Sequence, residues 1–145
     1  MLLPLVLGTS AVLCTILIHS LAMGATVNFF RRERRLGRAG VAFRIDLAIM
    51  VLTISIAFAA HLIEIALWAA LLVLCGEFQD FATAYYHSAV NYTTLGYGDL
   101  IMSPAWKLLG PIEAADGALM FGVSTAMIFA VATRLILTRF VDLRD

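Results

Sequence analysis

Charge is scarce in this chain. Only 14% of its 145 residues are Asp, Glu, Lys or Arg, against 62% hydrophobic residues, and the mean hydropathy is +0.95. That balance excludes an ordinary soluble domain and puts the chain in the membrane class. The formal net charge is zero, so no global basic field points to nucleic acid as a partner. Cysteine is scarce as well. Cys14 and Cys75 both sit in apolar stretches and read as small core residues, which excludes a disulfide framework or a cysteine-built metal site. There is no internal repeat, no low-complexity segment and no catalytic constellation, so an enzyme is not expected.

What the chain does have is three long apolar stretches. They predict helices over Leu2 to Phe30, Ile45 to Cys75 and Leu109 to Leu137. Each exceeds the roughly 20 residues that cross a bilayer core. The first is too long for a signal peptide and lacks a basic segment ahead of it. Between the first two lies Arg31-Arg32-Glu33-Arg34-Arg35-Leu36-Gly37-Arg38, a short basic loop. Such loops stay cytoplasmic, which predicts an outside N-terminus and a cytoplasmic C-terminus. Arg134, Arg139 and Arg144 agree with that polarity. Arg32, Arg35 and Arg38 recur every third residue, but the residues between them are not apolar and Gly37 and Gly40 interrupt the run. The loop reads as a surface for anionic lipids, not a voltage sensor, with Arg44 and Asp46 extending it.

Residues 93–99 read Thr-Thr-Leu-Gly-Tyr-Gly-Asp between apolar stretches. Irregular backbone at membrane depth survives only inside protein or against a water-filled cavity, so the segment predicts a pore. A dehydrated cation needs a column of oxygens in place of its water shell. Successive carbonyls face one axis only if the backbone alternates in hand, and Gly96 and Gly98 supply positive φ without a Cβ clash. Ahead of the segment, Asp80 is a fair N-cap for a short helix, Phe81 to about Tyr92, about 18 Å long at 1.5 Å per residue and too short to span. Tyr85, Tyr86 and Tyr92 on that helix form an aromatic group. Asn91-Tyr92-Thr93 fits the glycosylation pattern but lies at membrane depth, out of reach of the enzyme.

Thr94-Leu95-Gly96-Tyr97-Gly98-Asp99 closely resembles the selectivity filter of tetrameric potassium channels, usually written Thr-Val-Gly-Tyr-Gly-Asp. The resemblance extends more loosely from Asp80 to Leu137 and leaves the first helix outside the basic pore unit. It implies a homotetramer with a K+ filter built from Thr94, Leu95, Gly96 and Tyr97. It implies further that Gly98 and Asp99 shape the outer mouth, that Tyr86 donates to Asp99, and that Tyr97 packs behind the filter. Leu95 departs from the usual Val, yet contributes only a carbonyl. Val90 stands where some relatives carry a glutamate behind the filter.

Ionisable residues also lie within the spans. His61 and Glu64 are three apart on one helical face, and His19 lies in the first helix. A lone carboxylate is costly there, so Glu64 is expected to face protein. The group has three readings: a His–Glu hydrogen bond tying helices together, a proton sensor that biases opening, or a metal site formed with His19. Glu113 and Asp116 follow Gly110-Pro111 and read either as compensation for the helix dipole or as a ring of acids at the outer mouth. In the third helix, Gly117 and Gly122 are candidates for a bend, with Gly122 nearer the middle, or for close packing. Ser124 and Thr125 are candidates to face a wet cavity.

The fold class expected is an all-α membrane protein: three transmembrane helices, a re-entrant pore helix and a filter, assembled as a homotetramer. Residues 1–40 form an extra N-terminal helix with its basic loop, and residues 41–145 the pore domain. The function expected is passive K+ conduction, with no cofactor other than K+ in the filter. Only eight residues follow Leu137. Gating is therefore expected from the pore, from lipid, from His19, His61, Glu64 and Gly122, or from a separate regulatory subunit. A bacterial inner membrane is the expected location. The competing functions are a weakly selective cation channel and a non-conducting membrane sensor or assembly subunit.

Overall fold

The computed structural model describes residues 2–142 as four helices: α1 (Leu2–Arg35), α2 (Phe43–Leu74), α3 (Phe81–Tyr92) and α4 (Leu109–Asp142). There is no strand among the described residues. α1, α2 and α4 are long and apolar enough to cross a membrane, and α3 is not. The fold is thus all-α with three membrane-capable helices. The long helices are apolar around most of their girth. Leu13, Leu21, Phe58, Leu119 and Phe129 all point away from the rest of the chain. Helices of that kind face lipid or a partner on more than one side.

α1 does not stop at Phe30. Arg31, Arg32, Arg34 and Arg35 form its last turns instead of a loop. Arginine is a good helix former, and positive charge there complements the helix dipole. Gly37, at φ +64°, ends the helix, with the Arg38 amide bonded to the Glu33 carbonyl at 3.0 Å. α2 closes in the same way at Gly76, φ +73°, with the Glu77 amide on Leu72. Both ends have the six-to-one bond and left-handed residue of a Schellman cap.

The arginines gather at one end of the bundle. Asp46, near the start of α2, pairs with Arg139 at 2.9 Å and accepts the Gly40 amide at 2.8 Å. Asp46 is therefore buried in a contact between helix ends and does not extend an open basic surface. Residues 76–108, including 93–99, connect the other ends of α2 and α4. Arg144 lies outside the described residues.

The apolar core forms where α2, α3 and α4 meet, around Trp68, Ala69, Leu72, Ala84, Tyr92 and Leu109, all fully buried. Small residues permit the approach. A Cβ on Gly117 would collide with the Tyr92 carbonyl, and one on Gly8 of α1 would lie 2.9 Å from Ile112. Close approach at glycine is a usual basis of helix packing in membranes, where lipid supplies no hydrophobic drive between helices. Cys14 is exposed on α1 and is not a core residue.

Candidate functional site

α3 carries the 93–99 segment on its C-terminal end. Asp80 caps its start, accepting the Thr83 amide at 2.8 Å, and that bond holds the Asp80 carboxyl below its ordinary range. At the other end the amides of Thr93, Thr94, Leu95 and Gly96 turn back onto the carbonyls of Ala89, Asn91 and Val90. The Leu95 amide reaches Val90 at 2.9 Å with Thr94 left-handed at φ +59°, a third Schellman-like closure. Here the left-handed residue is a β-branched threonine, for which that conformation is an outlier. Such strain costs about 1–3 kcal/mol and collects at functional sites.

Beyond this cap the hand alternates. Thr94, Gly96 and Gly98 have φ of +59°, +60° and +73°, while Leu95 and Tyr97 do not share the positive region. The amides at the start of the segment are spent on α3. The carbonyls of Thr94 to Gly98 accept no hydrogen bond among the described residues. The whole segment is exposed within the chain; Tyr97 is 68% exposed. One side chain braces the segment's far end: the Tyr86 hydroxyl donates to Asp99 at 2.8 Å, which raises the Tyr86 pKa. Further on, Glu77 holds the Ser103 amide and hydroxyl, each at 2.6 Å.

The three tyrosines of α3 do not form one aromatic group. Tyr86 points to Asp99, Tyr85 to the Leu62 carbonyl at 3.3 Å, and Tyr92 is buried against α2 and α4. The Tyr92 hydroxyl donates to Glu64, which itself meets His19 at 2.9 Å and His61 at 3.3 Å. The two imidazoles in turn meet the Ser124 hydroxyl, at 3.0 Å from His19 and 2.9 Å from His61. Ser124 is therefore buried within the chain, whereas Thr125 is exposed. His19, His61 and Glu64 have donor atoms within 4.8 Å of one another, the separation a metal ion would need. Each of those atoms also lies within hydrogen-bonding distance of another protein side chain.

A second polar group lies beside it. Asp116 accepts from Thr15 of α1 at 2.9 Å and from the Trp68 indole at 2.9 Å. Glu113 is fully buried near α3, and neither its carboxylate nor the Ser88 hydroxyl has a hydrogen-bond partner among the described residues. These two acids face the interior of the subunit. They form neither an acidic ring at a mouth nor a first-turn dipole pair: both are buried within the chain, and neither lies in the first turn of α4. Gly122 is different from Gly117: a Cβ there meets nothing within 4 Å, and α4 runs through it unbroken.

Sequence reasoning paired His61 with Glu64 and brought in His19, but missed Tyr92 and Ser124 as members of the cluster. The available signal was the rarity of polar side chains in such apolar helices, since each needs a partner.

Residues 47–134 match the model of a family described as an ion channel, a span of more than half the chain. No curated protein and no solved structure matches. The matched span starts within α2, takes in α3 and the 93–99 segment, and ends within α4, leaving α1 outside. On this match, and with three membrane-capable helices, the chain is a multi-pass membrane protein belonging to the ion channel family of the pore-loop type.

Proposed function

We propose that four copies of the chain assemble around one axis and conduct K+ passively through a filter made by the carbonyls of Thr94, Leu95, Gly96 and Tyr97. The observation that carries this reading is the alternating hand of residues 94–98 combined with their unclaimed carbonyls. One subunit offers oxygens on one side only. A closed ring of them requires rotational symmetry, which cyclic homo-oligomers supply. Carbonyls replacing the hydration shell at several adjacent sites bind K+ well enough to admit it and weakly enough to pass it on. α3 would serve as the re-entrant helix, Gly98 and Asp99 would shape the mouth, and Tyr86 would brace it. The exposure of Tyr97 in a single subunit fits a ring that packs against a neighbouring copy.

The orientation proposed puts the arginines in the cytoplasm and the 93–99 segment on the outer side. Arg31, Arg32 and Arg35 line one open recess on α1 with Asn28, suited to anionic lipid head groups. Gly122, on the open face of α4, is the proposed bending point of the inner helix. Purified protein in planar bilayers under opposed K+ and Na+ gradients tests the function. Current reversing near the K+ equilibrium potential supports it. Reversal midway between the two ions would make the chain a weakly selective cation channel, and no current under any voltage a non-conducting subunit.

A further inference from the structure

Four side chains from three helices close a ring in the middle of the subunit. Glu64 Oε1 lies 2.9 Å from His19 Nδ1, and His19 Nε2 lies 3.0 Å from Ser124 Oγ. Ser124 Oγ lies 2.9 Å from His61 Nε2, and His61 Nδ1 lies 3.3 Å from Glu64 Oε2, closing the circuit. Tyr92, the last residue of α3, hangs from the ring by its bond to Glu64, with its oxygen 3.1 Å from His61 Nδ1. All of these residues are buried.

The hydrogens do not balance in the ordinary protonation state. A neutral imidazole has one N–H, a serine one O–H, and a carboxylate none. The two imidazoles and the hydroxyl therefore bring three hydrogens to the ring's four contacts. One contact would set lone pair against lone pair in a buried site, where an unmade hydrogen bond is costly. One added proton completes the circuit. Both Nδ1 atoms then donate to Glu64, Ser124 donates to one Nε2, and the other Nε2 donates to Ser124. The ring then holds one imidazolium against one carboxylate and has no net charge.

We propose that this ring is a binding site for one proton per subunit, which fastens α1, α2 and α4 to the base of the 93–99 segment through Tyr92. The other ionisable groups facing it are Tyr92 from α3, with Asp116 and Glu113 from α4. Asp116 is held by Thr15 and Trp68, and no Arg or Lys pairs with the ring among the described residues. Loss of the proton opposes two lone pairs and opens one of the ring's four contacts, which loosens the tie between the helices and Tyr92. The inference stands on the geometry of one subunit; only its effect on flux rests on the K+ reading above.

Glu64→Gln separates this account from simple packing. A carboxamide in that place donates to His19 Nδ1 through its nitrogen and accepts from His61 and Tyr92 through its oxygen. His19 Nε2–H then donates to Ser124, and Ser124 to His61, so every contact is filled with no added proton. Ser124→Ala acts in the other direction. Both neutral imidazoles are free to donate to Glu64, and the added proton fills no contact.

The test is a pH titration between about 5 and 9, the range of imidazole chemistry, of the full chain in lipid bilayers with 15N-labelled histidine rings. His87 is the internal reference. Burial holds it below the ordinary imidazole range, and its Nε2 faces the Asn91 amide nitrogen at 2.8 Å. In the native chain, His19 and His61 should share one imidazolium per subunit and lose it in a single step. In Glu64→Gln both rings should be neutral throughout, and in Ser124→Ala the step should move about one pH unit or more toward acid, a tenfold loss of proton affinity. Two neutral rings in the native chain across the range, or an imidazolium that persists in Glu64→Gln, would overturn the site. Rubidium flux should change across the same step and be flat in Glu64→Gln. Native flux that ignores a proton step seen in the rings would overturn the link to the filter. Flux absent from every protein would count against conduction, and the ring spectra would still decide the site.

Discussion

The 93–99 segment and the buried ring are neighbours in the chain, since Tyr92 ends one and Thr93 opens the other, yet they are built on opposite terms. The segment is exposed, strained at Thr94 and leaves its carbonyls unclaimed. The ring is enclosed, and every polar atom in it has a partner on another helix or side chain. Folding of the single chain completes the ring, whereas the carbonyls of the segment find no partner among the described residues. The proposed conduit, shared between copies, and a support belonging to each copy would differ in this way.

Substitutions that attack the two regions separately sharpen the contrast. Trp68→Ala, on the side of the support, should have the largest effect. It empties a fully buried site and strips Asp116 of its indole donor. A loss of about 3–5 kcal/mol is expected for such a truncation, measured as failure to recover a folded oligomer in detergent. Gly96→Ala should come next and should act on the conduit alone. A Cβ at φ +60° has room around it but costs about 1–2 kcal/mol in backbone strain per copy. Rubidium uptake into liposomes should fall to background with helix content and oligomer size unchanged. Uptake at the native level would show that the segment does not form the path.

Two glycines of α4 provide a finer comparison. Gly117→Ala drives a methyl into the Tyr92 carbonyl and should destabilise the chain by about 1–3 kcal/mol in thermal or denaturant melts. Gly122→Ala meets open space and should stabilise the helix by up to about 1 kcal/mol. Lower open probability in single-channel records would mark it as the bend, and unchanged gating would place the bend elsewhere. The smallest effect should be that of Tyr86→Phe, which removes one exposed hydrogen bond to Asp99. A net cost of about 1 kcal/mol or less follows, read as faster decline of current under sustained K+ flow with unaltered ion preference.

Much of this contrast was open to sequence reasoning on one side and closed to it on the other. The limits of α3, the Asp80 cap and the glycines at 96 and 98 are local features, set by residues a few positions apart. The ring is not local. Ser124 and His19 are 105 positions apart, and Tyr92 and Glu64 are 28 apart. Spacing paired His61 with Glu64 because one helix carries both. Nothing in the order of residues distinguishes a Ser124 that lines a cavity from one sealed against two imidazoles. Glu113 and Asp116 illustrate the same gap. Their spacing suits an outer mouth as well as an interior, and only the packing of α4 against the rest of the chain, close at Gly117 and Tyr92, decides between them. The strained Thr94 was also hidden, since a β-branched residue is an unfavourable choice for the left-handed region.

The most direct measurement of the central claim is the reversal potential of the purified chain in a planar bilayer with K+ on one side and Na+ on the other. The proposed fourfold filter predicts a reversal displaced strongly toward the K+ equilibrium potential, with Gly96→Ala silent in the same bilayer. A reversal near zero under that gradient, or equal currents from the native chain and Gly96→Ala, would contradict it.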